Sequence, residues 1–166
     1  MRRPLRNPLP IFLAVALCAL LVEAFKGRVL WNVTTSIPRG AYWIARAERV
    51  ERGQLVTLPI PDSVQLLVYE RGYAPRSFRL LAKPVAAVGG DHVCIRGELF
   101  INGQPFAAVR HTDLDGRPMP RHDICRTLQQ GELFLATGHA NSFDSRNFGP
   151  VALDSLRGTL RPLLTF

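Results

Sequence analysis

Leu9 to Val22 is an uninterrupted apolar run of 14 residues, and it follows Arg2, Arg3 and Arg6. A run without a polar side chain behind a basic flank has the layout of a membrane anchor or an export signal, with the cations kept on the cytoplasmic side. A helix rises about 1.5 Å per residue, so the run reaches about 21 Å against a hydrocarbon core of about 30 Å. Extending it to Leu30 takes in Glu23, Lys26 and Arg28; the two cations can snorkel and Trp31 would mark the interface. A cleaved signal peptide is the rival reading, but the small pair Ala16 and Cys18 lies inside the apolar run. A lipoprotein signal is disfavoured because Leu17 precedes Cys18 where a small residue is needed. The expected organisation is therefore a cytoplasmic basic N-terminus over 1–8, a single uncleaved anchor over 9–30 and one exported domain over 31–166.

The net charge of +8 suggests nucleic acid only until its location is considered. Five of the 21 Lys and Arg lie before residue 30 against one acid, which leaves 16 basic and 12 acidic residues for the remainder. That balance, without a basic run, implies no nucleic-acid partner. Cys94 and Cys125 are the two cysteines of the exported part, and an even pair in an oxidising compartment suggests a disulfide, with two buried free thiols as the alternative. His92, Cys94, His122 and Cys125 have irregular spacing for zinc, so no metal and no cofactor is expected.

Past the anchor the chain reads as short strands separated by turn chemistry. Strands are expected at Val29–Val33, Ala41–Ala45, Gln54–Leu58, Leu80–Val88, Val93–Ile95, Leu99–Ile101, Pro105–Ala108, Glu132–Ala136 and Leu160–Leu164. Asn102-Gly103 between apolar pairs signals a hairpin. Asp62 to Arg71 has helical spacing, with Asp62 as N-cap and Gly72 past the end, and is read as the one helix of the exported domain. His111 to Asp123 is polar and reads as a surface loop. The fold class expected is mainly β, in small antiparallel sheets with one short helix, behind a single N-terminal transmembrane helix.

The chemistry is signalled by lysine usage. Against 19 arginines there are two lysines, and Lys26 flanks the anchor, so Lys83 is the sole lysine of the exported part. Its neighbours are Leu80, Leu81, Ala82, Val85, Ala86, Ala87 and Val88. Burial disfavours the charged form of lysine, whereas arginine stays protonated, so a lysine kept in an apolar strand can become a base. Reaching neutrality takes a fall of about 3 units, or about 4 kcal/mol of differential solvation. The bland alternative is a snorkelling lysine on a strand edge. None of the four histidines lies in a recognisable catalytic setting.

Ser36 sits in a turn just after the anchor, within Asn32-Val-Thr-Thr-Ser-Ile-Pro-Arg-Gly-Ala-Tyr42. This stretch resembles the nucleophile box of type I signal peptidases. Leu80 to Val93, ending in Gly-Asp-His-Val, resembles their lysine box, and Gly138 to Gly149 resembles the later box built on Asn-Ser-x-Asp-Ser-Arg. Pro-Arg-Gly-x-Tyr after the serine and Phe-Gly-Pro-Val at the end are most similar to the TraF-type conjugative transfer peptidases. Pro84 stands where the family usually has Arg, Gly89 where it usually has Pro, and His139 where Asp is common in a box two residues longer.

The resemblance implies Ser36 as nucleophile, Lys83 as general base, and Thr34 joining the Ser36 N–H in the oxyanion hole. It further implies Ser142 as the group orienting the lysine, and Asp144 with Arg146 as a structural ion pair below the site. For Thr34 an ordinary strand threonine, and for Asp144 and Arg146 a surface pair, are the bland readings. The implied enzyme is a monomeric serine endopeptidase of the bacterial inner membrane. Membrane lipid would surround its anchor, and its catalytic domain would face the periplasm. Its partner would be a precursor protein, a conjugative pilin or a signal-peptide-bearing protein, laid beside an exposed strand, and the pilin product could be closed into a ring. A general signal peptidase and a non-catalytic pilus-assembly factor are the competing classes. A LexA-like self-cleaving repressor also uses Ser/Lys, but an anchor occupies the place of its DNA-binding helices.

Overall fold

The computed structural model describes residues 9–166, so the basic stretch 1–8 lies outside the described residues. The first element is helix α1, Leu9–Phe25, whose side chains are exposed along its length where described. Its 17 residues correspond to about 26 Å, and among the described residues no helix is long and apolar enough to cross a membrane. The helix stops short of Leu30 because Gly27 takes a positive φ of 73°, after which strand β1, Val29–Asn32, begins. The segment 9–30 is thus divided between a helix and an edge strand.

The remaining strands are β2 (Gly40–Ala45), β3 (Leu55–Pro59), β4 (Leu80–Val88), β5 (His92–Arg96), β6 (Glu98–Ile101), β7 (Gln104–Ala108), β8 (Cys125–Thr127), β9 (Glu132–Leu135), β10 (Val151–Ala152) and β11 (Gly158–Thr165). They form a seven-stranded sheet in the order β1-β2-β11-β3-β4-β9-β10 and a four-stranded sheet in the order β7-β6-β5-β8. Every strand pairing is antiparallel. The short β8 and β10 were not expected from pattern, since three and two residues are too few to show a period of two.

Two expectations about helices need correction. Helix α2 spans Asp62–Glu70, but its N-cap is Pro61 and no side chain caps it, so Asp62 is the first helical residue. Nor is α2 alone in this part of the chain. A single turn, α3, occupies Ser145–Phe148, and a 3₁₀ turn follows at Leu153–Ser155. Asp144 caps α3 in a capping box with Asn147, so a short polar stretch folds by side-chain hydrogen bonds without apolar periodicity.

Strand β4 holds the architecture together. Its first half pairs with β3, from Leu80↔Pro59 to Pro84↔Leu55, and its second half pairs with β9, from Val85 to Val88. The change of partner comes at Lys83 and Pro84. Pro84 Cα pairs with Leu55, yet its carbonyl accepts from Ala136 N–H at 3.2 Å, so its backbone faces the β9 side, where the β9 ladder starts only at the next residue. The absent proline N–H faces Ala136, one residue past the end of β9, and so falls outside that ladder. Val56, Leu58, Val85, Leu133 and Leu135 close one core beside this strand, and Ala87, Val93, Leu99 and Phe134 close a second between β4, β9 and the four-stranded sheet. Each fully buried large apolar side chain contributes about 1.5–3 kcal/mol.

The turns after β4 and β6 are joined by one carboxylate. Asp91 is buried and accepts from Arg52 Nε at 2.7 Å, Val88 N–H at 2.9 Å and Asn102 Nδ2 at 3.0 Å, with a second contact to Arg52 Nη2. Asn102 and Gly103 both have positive φ, at 51° and 77°, as a two-residue type I′ hairpin requires. Gly89 is tight for another reason. A Cβ there would lie 2.7 Å from the Gln129 carbonyl oxygen, which explains why this chain lacks the proline common in the resembling box. Cys94 and Cys125 face each other across β5 and β8 and are joined in a disulfide that ties β8 to the second sheet.

Burial alone would raise the Asp91 pKa, but hydrogen bonds from Asn102, Val88 N–H and Arg52, with the Arg52 charge, hold it below the usual carboxylate range. Its stabilisation is therefore present above the unfolded carboxylate pKa and lost as pH falls through the folded one. Asp91→Ala leaves Arg52, Asn102 and Val88 N–H unpartnered and should cost about 3 kcal/mol near neutral pH. Denaturant titrations of both proteins should show the difference, and it should shrink below about pH 4.

Candidate active site

The turn between β1 and β2 is shaped by Asn32, a buried residue that the sequence reading did not single out. Its Nδ2 donates to the carbonyls of Thr34 (2.9 Å), Ile37 (3.1 Å) and Pro38 (3.0 Å), while its Oδ1 accepts from Thr34 N–H and Oγ1–H at 3.2 and 2.7 Å. Tyr42 O–H adds a further bond to the Pro38 carbonyl at 2.7 Å. Six bonds to so short a segment fix where Ser36 stands. The signal available in the sequence was an asparagine two residues before a threonine, a common side-chain-to-backbone turn pattern.

From the opposite side β4 brings Lys83, 6% exposed, to the same point. Its Nζ donates to Ser36 Oγ at 2.9 Å and to Ser142 Oγ at 3.0 Å. Residues 36, 83 and 142 come from a turn, a strand and a loop, and they meet at one nitrogen. Desolvation is the largest influence on that amine and lowers its pKa from 10.5 to about 8, against the attraction of Asp144 and with the repulsion of Arg146. The apolar segment around Lys83 thus produces a base that is partly neutral near physiological pH. Thr34 Oγ1 lies 3.4 Å from Ser36 Oγ, on the exposed lip of the turn.

Ser142 is held by what lies beneath it. Asp144 and Arg146 are both buried and joined through Nε–Oδ1 at 2.9 Å and Nη2–Oδ2 at 2.7 Å. Arg146 also donates to the carbonyls of Ala108 at 2.7 Å and His139 at 2.8 Å, tying the loop before α3 to the end of β7. A surface pair would make no such contacts. His139 is exposed, and it is the backbone of this residue that the loop uses: its carbonyl accepts from Arg146, and its N–H donates to Thr137 Oγ1 at 3.1 Å. His92, His111 and His122 lie away from Lys83 and line no part of its cleft.

The three groups open into a cleft of about 870 Å³ bounded by β4, the α2 end and the loop after β7. A smaller groove of about 430 Å³ reaches Ser36 from the other side, between Arg39 and His139. An alcohol, a desolvated amine in contact with it and a second hydroxyl fixing the amine can transfer a proton and form an acyl ester. Among the described residues no His, Cys, Asp and Glu cluster suited to a metal ion is present.

The family model described as "Signal peptidase, peptidase S26" matches residues 6–164. The plasmid transfer protein TraF of Escherichia coli is 33% identical, covering 94% of this chain and 93% of its own. The conjugal transfer protein TraF of Agrobacterium fabrum strain C58 is 35% identical, covering 93% and 94%. Among solved structures, a signal peptidase I of Enterococcus faecalis V583 aligns with a TM-score of 0.40 and 20% identity over 69% of this chain and 98% of that one, a likeness too distant to bear on the site. A match of the family model over nearly the whole length, joined by relatives of the same length, makes this chain a peptidase of the S26 signal peptidase family.

Proposed function

We propose that this chain is a membrane-anchored serine endopeptidase in which Ser36 is the nucleophile and Lys83 the general base, and that it processes an exported precursor of conjugative transfer, a pilin precursor. The observation that carries this reading is the 2.9 Å contact between Ser36 Oγ and a lysine amine that burial drives toward neutrality. The names of the relatives support the setting, since they are plasmid and conjugal transfer proteins. The apolar α1, behind the basic residues of 1–8, supports attachment at the bacterial inner membrane with the β-domain on its outer side.

The reaction would begin with neutral Lys83 taking the Ser36 hydroxyl proton as Oγ adds to the scissile carbonyl. The resulting oxyanion would be met by the Ser36 N–H and the Thr34 hydroxyl, the latter turning from Asn32. Such donors are worth about 3 kcal/mol each in the transition state. The Lys83 ammonium would return its proton to the departing amine as the C–N bond breaks, leaving the acyl group on Ser36. Water, giving a proton to Lys83, would then add to the acyl carbonyl, and as the ester C–O bond breaks Lys83 would pass that proton to Ser36 Oγ, releasing the acid and restoring both groups. An amine attacking the same ester would join two ends, which is the route by which the product could be closed into a ring.

Strand β4 also suggests how the substrate lies. Arg79 and Val85 make their backbone bonds on the β3 side, and Pro84 turns its carbonyl to the β9 side. Alternation therefore directs the N–H and C=O of Leu80 and Ala82 toward the edge that β9 does not reach. An extended substrate added there would place its scissile bond beside Lys83.

The rate on a peptide substrate should rise with pH through about 8, following the neutral amine; a flat profile from pH 6 to 11 would remove Lys83 from the mechanism. Lys83→Arg and Lys83→Ala should both lose about 10³-fold or more, since arginine keeps the charge without the base. Ser142→Ala should lower kcat by about tenfold to a hundredfold with KM little changed. Incubated with an exported pilin precursor in detergent, the wild type should make one defined cut and Ser36→Ala should bind without cutting.

The same lysine has a stability signature. Its folded pKa lies below the unfolded one, so the unfolded chain binds more protons between about pH 8 and 10.5 and stability rises with pH across that window. The change is about 3 kcal/mol. Lys83→Met should remove this rise, and thermal melts at pH 7 and pH 10.5 would read it directly.

A further inference from the structure

The cations of the main cleft differ in what they face. Arg71 lies 3.6 Å and Arg117 2.7 Å from Asp113, and Arg117 also meets Asp115 at 2.6 Å. Arg146 is satisfied by Asp144. That leaves Arg79 and Arg110. Arg110 donates to the neutral Asn141 Oδ1, and the exposed Arg79 side chain has no hydrogen bond, ion pair or ring contact among the described residues. Apart from Lys83 at the dyad, which meets only hydroxyls, two guanidinium groups thus remain without a carboxylate partner in a cleft whose other charges are paired, and they favour an anionic ligand.

Arg79 also has a defined place relative to the reacting atoms. Its carbonyl accepts from Ile60 N–H at 3.1 Å, which continues the β3–β4 ladder one residue beyond Leu80. Residues 79, 81 and 83 therefore share one strand face, with Lys83 at the dyad and Leu81 between. At about 3.3 Å per residue, Arg79 stands about 13 Å from Lys83 along the strand. A peptide strand added to the open edge presents, opposite each β4 residue, a side chain on the same face.

We propose that Arg79 selects substrate: it pairs with an acidic side chain about four residues from the scissile bond, with Leu81 facing an apolar side chain two residues from it. Strand β4 is then a ruler that measures from a cation to the cutting site. The inference rests on the Ser36–Lys83 reading and names a substrate feature for it. Charge recognition adds register to a groove that otherwise offers apolar surface and backbone bonds, neither of which distinguishes one extended segment from the same segment slipped by two residues.

The test uses the full chain in detergent and a neutral host peptide that the wild type cuts once. Glu, Gln or Lys is placed at each position from two to six residues on either side of the bond. The expected result is a preference for Glu over Gln of about fivefold in kcat/KM at one position three to five residues away, the upper range for an exposed ion pair, weakening as salt is raised. Arg79→Gln should erase that preference and Arg79→Glu should invert it toward Lys, with circular dichroism confirming that both variants are folded. A wild type indifferent to charge at all these positions, a preference only at the position two residues from the bond, or a preference that Arg79→Glu leaves in place would overturn the proposal. Cutting that survives in Ser36→Ala would instead bring down the dyad reading, so the two failures are distinguishable.

Discussion

A lysine amine held out of water is the constraint on which the site depends. Solvating Lys83 would return its pKa toward 10.5 and leave it protonated, a cation beside Ser36 unable to take the proposed role of base. Its 6% exposure is not a property of the strand alone, because Leu80 to Ala82 are only partly buried and lie along the open edge. It arises where β4 leaves the cover of β3 and comes under that of β9, with Ser36 and Ser142 capping the amine from two other parts of the chain.

The arrangement explains why so much structure supports so small a cluster of side chains. Asn32 draws the backbone around Ser36 into one shape, and the buried Asp144–Arg146 pair does the same for the loop carrying Ser142. A buried ion pair is a costly way to gain stability, since desolvation offsets much of the attraction. Here Arg146 uses its remaining donors on the carbonyls of Ala108 and His139, so the pair locates two segments relative to each other. The small hydroxyl of Ser142 then needs no further partner to stay within reach of Lys83.

The cleft shows a corresponding division of labour. One wall is the strand edge, suited to backbone hydrogen bonds with any extended peptide, and the other carries the paired charges of Arg71, Asp113 and Arg117 that hold the loop after β7 in place. Tyr73 O–H donates to Asp113 at 2.6 Å, so this loop is fastened to the end of α2. The disulfide between β5 and β8 fastens its far end. A long polar connection is thereby kept in one conformation although it contributes little apolar surface of its own.

Much of this could be read before any coordinates were considered. The mainly β character, the Asn102-Gly103 hairpin, the helix over the 60s and the span of β4 all follow from local chemistry: alternation, turn residues and a helical apolar spacing each leave their mark within a few positions. The singular lysine in an apolar strand and the three family-like boxes named Ser36, Lys83, Thr34, Ser142, Asp144 and Arg146. What the sequence could not state was distance. The meeting of residues 36, 83 and 142 at one nitrogen depends on pairings between segments 47 and 59 residues apart. The turn α3 and the roles of Asn32 and Asp91 rest on side-chain hydrogen bonds that have no periodicity. The helix of α1 ended at Phe25, three residues past the apolar run and short of Leu30, because Gly27 adopts a left-handed backbone and Val29 to Asn32 find a partner in β2. Hydropathy registers how apolar a segment is; only tertiary pairing decides whether its backbone bonds are made within it or to another strand.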